Sequence, residues 1–164
     1  MSSVNVSAQA VRQLIEQDIQ TTERLSTLLQ QEHNSLQQRD SQELNRIVAD
    51  KQYCMTKLEQ SAKQRGGWIT FLVERTGMTP NESWKRLLEE LKDPELPQLW
   101  DQLQESLINC KQHNEVNGKI ITRGHKTLKQ LLGILRGKSV ETPRLYNASG
   151  DTSAQGQSHT VIKA

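Results

Sequence analysis

Apolar residues recur at Val11, Ile15, Ile19, Leu25, Leu29 and Leu36, with Leu14 and Leu28 beside them. That spacing, near 3.6, predicts one long helix from about Ser7 to Leu36. The stretch "QQRDSQEL" interrupts it: Asp40 is placed to cap a second helix, and Glu43, three residues on, to reach back as in a capping box. So short a link makes the two helices antiparallel neighbours. The second turns Leu44, Val48, Met55, Leu58 and Ala62 toward the first. Adjacent Gly66 and Gly67, each about 1 kcal/mol less favourable than alanine inside a helix, predict a bend or break there. The cluster Trp68, Ile69, Phe71, Leu72 and Val73 that follows is too apolar to stay exposed, and Gly77 is a natural helix stop. In "TPNESW", Thr79 caps, Pro80 takes the first helical position and Glu82 completes a capping box, opening a short helix through Leu87, Leu88 and Leu91.

Beyond Asp93 and Pro94 a 3-4 repeat runs through Trp100, Leu103, Leu107, Cys110, Asn114, Asn117, Ile121, Gly124, Leu128, Leu131 and Leu135, with no proline between Pro97 and Pro143. About 40 residues at 1.5 Å each predict a rod roughly 60 Å long, closed by Gly137. Its seam is apolar to Cys110, polar at Asn114 and Asn117, dented at Gly124, and crowded at its end, where Leu132 and Ile134 join Leu128, Leu131 and Leu135. One reading makes that end ordinary core; the other makes it a face that receives a guest helix, with Gly124 permitting close approach. The asparagines add little to either, since a buried seam asparagine often does no more than fix register.

The predicted class is therefore all-α: an elongated antiparallel helical bundle with long N- and C-terminal helices, a short helical insertion and a disordered tail. Residues 1–137 form the bundle domain. Residues 138–164, rich in Ser, Gly, Thr and Gln, lack the apolar surface to offset ordering entropy. Composition agrees with slender helices: 34% of the 164 residues are hydrophobic and 4% aromatic, too few for a thick globular core.

Charge and chemistry narrow the functions. With 21 basic and 19 acidic residues the formal net charge is +2, which gives little electrostatic reason for a nucleic-acid partner. The compact basic patch "RGHKTLK" lacks interleaved aromatics and reads as a solvated face. Cys54 and Cys110 fall on apolar stripes and read as small hydrophobes rather than a disulfide pair. No apolar run approaches the roughly 20 residues that span a bilayer, so no membrane insertion is expected, and a reducing cytoplasm is the simplest compartment. Cys110, His113 and His125 are too spread out to expect a metal. Neither a nucleophile elbow nor a phosphate loop is present, so the chain reads as a helical interaction module without cofactor, not an enzyme.

The order of elements, with "SQELNRIVADK" opening the second helix and "HNEVNGKIITRGHKTLKQLLGIL" in the last, resembles the FlgN-type flagellar export chaperones. The tail "PRLYNASGDTS" carries the most specific part of the likeness, with Leu145, Tyr146, Ala148, Gly150 and Thr152 in a Leu-Tyr-x-Ala-x-Gly-x-Thr arrangement. The resemblance implies a cytosolic chaperone of flagellar type III export that holds the hook–filament junction proteins FlgK and FlgL, prevents their premature assembly and delivers them to the export gate. It also implies a client site in the C-terminal helical region, on Asn117, Ile121, Gly124, Leu128, Leu131 and Leu135. Tyr146 takes the position that docks on the cytoplasmic domain of the gate protein FlhA. The stretch from Gly66 to Pro97 is longer and more apolar than in the shortest family members and is expected to cap the bundle. The alternative is a self-associating helical adaptor or structural coiled-coil protein of a secretion system, a homo-oligomer built through the same leucines.

Overall fold

The computed structural model describes residues 6–120 and 124–135, with backbone alone for 124–128. Five helices account for the regular structure of the described residues: α1 (Ala8–Gln38), α2 (Ser41–Thr76), α3 (Pro80–Glu90), α4 (Leu96–Ile120) and α5 (Gly124–Leu135). Capping side chains define most boundaries, and those of α2 and α3 are the ones the sequence predicts. Ser7 accepts from the Ala10 N–H at the start of α1, and Asp40 accepts from the Glu43 N–H at the start of α2. The Glu43 carboxylate itself turns to Arg46. Thr79 and Glu82 form the reciprocal capping box of α3, with Pro80 in its first turn. Gly77 ends α2 at φ 67°, a left-handed conformation that costs glycine nothing.

α1 and α2 are antiparallel, as two contacts near opposite ends show: Asp18 meets Ser61 and Arg65, while Glu32 meets Lys51. α4 runs parallel to α1, its N-terminal approach tied at Arg12–Asp93, its middle at Thr22–Cys110 and its end at Leu29–Asn117. α5 lies against α4 and α2 and not against α1, so α1 and α5 occupy opposite corners of the bundle. α3 bridges α2 and α4 and closes one end: Trp84, Leu87 and Leu88 enter the core, and Trp68, Ile69, Leu72, Leu91 and Trp100 pack around them. The Gly66 to Pro97 stretch is thus the expected cap.

Two expectations give way. α2 continues unbroken through Gly66 and Gly67, because anchoring Trp68, Ile69 and Leu72 on the core outweighs two glycine penalties of about 1 kcal/mol each. The single rod is also replaced by α4 and α5 laid side by side. Weak helix formers crowd the junction ("NGKIITRG"), and doubling back lets the leucine-rich end find cover that a straight rod would deny it. The expected stop at Gly137 and the tail from 138 lie outside the described residues. No helix among the described residues is long and apolar enough to cross a membrane.

Candidate functional site

Glu32, on the inward stripe of α1, is 1% exposed and pairs with Lys51 of α2 at 2.9 Å. Its other carboxylate oxygen accepts from the Asn117 side-chain amide at 3.0 Å, and the same amide donates to the Leu29 carbonyl at 2.9 Å. The Asn117 side-chain oxygen lies 3.1 Å from His33 Nδ1. Asn117 therefore has its donors and its acceptor engaged inside the bundle, and fixes the register of α4 on α1, with Glu32 carrying the network on to Lys51 of α2. Asn114, one turn earlier, is buried in the same seam. A charge in the helix interior is costly unless paired and hydrogen-bonded, and Glu32 is both.

Outside this network the α1–α4 junction opens into a groove of about 540 Å³ lined by Gln30, His33, Asn34, Gln112, His113, Val116 and Asn117. Its lining includes Val116, 50% exposed; Ile120, one turn further along α4, is 48% exposed. Ile108, two turns before Val116, is also exposed. Spacings of eight and four residues place the three along the outward side of α4, and their one-face periodicity is a signal that the inward heptad reading passed over.

The predicted guest-binding residues fall into three groups. Ile121 lies outside the described residues, Gly124 opens α5, and the side chain of Leu128 is not described. Asn117 and Leu131 are buried, and Leu135 is half-buried. Leu131 and its neighbour Ile134 join the cluster of Met55 and Leu58 from α2 and Leu103 and Leu107 from α4. The leucine end of the chain is therefore covered in this conformation. Gln130 is buried with them, 4% exposed, and neither its amide oxygen nor its amide nitrogen has a hydrogen-bond partner among the described residues. Tyr146 lies outside the described residues.

A second polar cluster holds the capped end. The Ser61 hydroxyl donates to the Asp18 carboxylate, and Arg65 reaches it at 3.8 Å. Arg65 also lies 4.9 Å over Trp100, which meets Trp84 edge to face at 5.3 Å. Burial pushes the Asp18 carboxyl up to about 6, against the pull of Ser61 and Arg65. Both thiols are raised by burial, Cys110 to about 12, so neither is a ready nucleophile or metal ligand. Among the described residues no three His, Cys, Asp or Glu side chains converge.

The described residues offer a groove and exposed helix faces. The sequence matches the model of the family described as FlgN protein over residues 1–154. The chain belongs to the FlgN family. Membership carries a flagellar chaperone-type role and extends through the tail motif around Tyr146. The fold is also that of a crystal structure reported as a flagella synthesis protein FlgN from Pseudomonas aeruginosa. The two superpose with a TM-score of 0.65 at 23% identity, covering 79% of this chain and 98% of that one. No curated protein matches.

Proposed function

We propose that this FlgN-family chain is a cytosolic carrier of the flagellar type III export system. It binds the C-terminal helical segments of the hook–filament junction proteins FlgK and FlgL, keeps them from assembling early and hands them to the export gate. The client site is the C-terminal helical region, comprising Asn117, Ile121, Gly124, Leu128, Leu131 and Leu135, and Tyr146 docks on the cytoplasmic domain of FlhA. Apart from family membership, the observation that carries this reading is the aliphatic surplus of the region: α4 leaves Val116 and Ile120 half-exposed beside an open groove while α5 brings further leucines alongside. A terminal amphipathic helix of a filament-forming protein is the kind of guest such surfaces take. Seated as they are, Asn117 and Leu131 become available to a guest only through a local rearrangement of the bundle.

Calorimetric titration of the full chain with C-terminal peptides of FlgK and FlgL from the same organism tests the proposal. Saturable one-to-one binding is expected. No heat at tens of micromolar protein, with sedimentation showing a self-associated chain, would replace the carrier with the adaptor.

A further inference from the structure

Among the described helices α5 touches only α2 and α4, whereas α1–α2, α1–α4, α2–α3 and α3–α4 contacts hold the remaining helices together without it. It can therefore leave without dismantling the bundle. Its hold is also poorly matched. Leu131 and Ile134 are 0% and 2% exposed, but Gln130, next to Leu131 and one turn before Ile134, is buried with both amide atoms unpartnered among the described residues. An orphaned buried amide forfeits its hydration without recompense, so the seated state is penalised at that position. At 12 residues α5 is at the length where an isolated helix is marginal in water, and packing alone keeps it formed.

We propose that α5 is a resident stand-in for a client helix. The apolar face of α2 and α4 that seats Leu131 and Ile134 is the receiving groove, and an amphipathic client helix enters it when α5 swings away. The occupant's chemistry is read from α5 itself: aliphatic residues three or four apart at the positions of Leu131 and Ile134, and an apolar residue in place of Gln130. α5, once released, frees Leu131 and Leu135 to pack on the client's flank. This rests on the carrier reading above and specifies where and how the client is held. Because the groove is vacant in only a fraction of molecules, apparent affinity is reduced by that fraction, and shifting the seating of α5 shifts affinity without touching the client.

The test uses the full-length chain in three forms: wild type, Ile134→Asp to unseat α5, and Gln130→Leu to seat it more firmly, each checked for helicity by circular dichroism. Probes are the FlgK and FlgL C-terminal peptides and a synthetic α5 peptide, residues 124–135, carrying Gln130→Leu. Ile134→Asp is expected to bind a junction peptide about ten-fold more tightly than wild type, Gln130→Leu at least five-fold more weakly, and the α5 peptide to compete for the site. A junction peptide that binds wild type but binds Ile134→Asp equally or more weakly, with helicity retained, overturns the stand-in while leaving the carrier reading in place. Should Ile134→Asp itself lose the bundle's helicity, an unweakened Gln130→Leu overturns it alone. If the α5 peptide binds Ile134→Asp and no junction peptide binds any form, the groove exists but the client reading fails, and the proposal with it.

Discussion

Asp18 lies in the α1–α2 interface with its carboxylate raised from an ordinary 3.8 to about 6, principally by burial. A carboxyl whose folded pKa lies above its unfolded one binds its proton more tightly in the folded state. Its contribution to stability is therefore complete below 3.8, fades across the window up to about 6, and is absent at neutral pH. The full span corresponds to about 3 kcal/mol at about 1.36 kcal/mol per pH unit. Between pH 7 and pH 5 linkage gives a gain of about 1.3 kcal/mol, since protonation is nearly absent at the first pH and nearly complete at the second. Asp18→Asn keeps the shape and a hydrogen-bond acceptor for Ser61 but cannot titrate. Urea unfolding of both proteins at both pH values isolates the effect as a double difference, in which contributions common to the two proteins cancel. With a urea slope of about 2 kcal/mol/M, the wild-type midpoint should move toward higher urea on acidification by about 0.6 M more than that of Asp18→Asn. Parallel pH dependences in the two proteins would refute the assignment of a raised, buried carboxylate at this position.

Three further outcomes are expected. A Cβ at Gly66 or Gly67 meets nothing within 4 Å in a continuous helix, so Gly66→Ala and Gly67→Ala should each add about 0.5–1 kcal/mol of stability in urea unfolding; a loss would mean that α2 bends there in solution. Lys51→Met removes the cation that balances the buried Glu32 carboxylate and should cost about 3–5 kcal/mol, whereas adding Glu32→Gln to it should recover part of that loss, as unfolding midpoints will show. Tyr146→Ala should leave junction-peptide affinity unchanged while weakening binding to the FlhA cytoplasmic domain by calorimetry; an unchanged FlhA titration removes Tyr146 from the docking role.

The helices were legible wherever boundary chemistry is local. Asp40, Thr79 with Glu82, and Gly77 act within a turn of themselves, and each is found at its helix end. Inward stripes were legible for the same reason, because a helix that buries one face repeats it. What escaped reading depends on distant partners. Nothing near Gly66 announces that Trp68 and Leu72 will be held by a core assembled from other helices, so local propensity alone suggested a break that packing overrides. The placement of α5 beside α4 rather than in line with it is set by a competition between helix continuation and burial, and only the presence of a free flank on α2 and α4 decides it. Glu32 and Lys51 did leave a trace, each interrupting an apolar stripe with a charge, but their pairing across two helices becomes visible only once the register is known. At the candidate site the leucine surplus was legible. Whether those leucines face a guest or their own bundle was not, because periodicity records which residues share a face and says nothing about what covers it.

The distribution of directional contacts bears on how such a bundle combines a fixed fold with an exchangeable part. Hydrogen bonds and ion pairs specify geometry because they fail when displaced by an ångström, whereas apolar burial tolerates substitution of one aliphatic surface for another. In this chain the cross-helix polar contacts tie α1 to its neighbours: Arg12 clamps the α4 approach through Asp93 and holds that carboxyl below the ordinary range, Glu32 joins Lys51 and Asn117, and Asp18 joins Ser61 and Arg65. Those contacts fix a frame of α1, α2 and α4. The described inward positions of α5 present aliphatic residues and one unpartnered amide, so its seat is defined by area and shape rather than by directional bonds. If α5 were a structural member like the others, replacing Gln130 by leucine would be an ordinary stabilising core substitution with no effect on partners. A loss of junction-peptide affinity, alongside slower amide exchange in α5 and an unchanged frame, separates the two roles, because only an exchangeable helix couples its own stability inversely to binding.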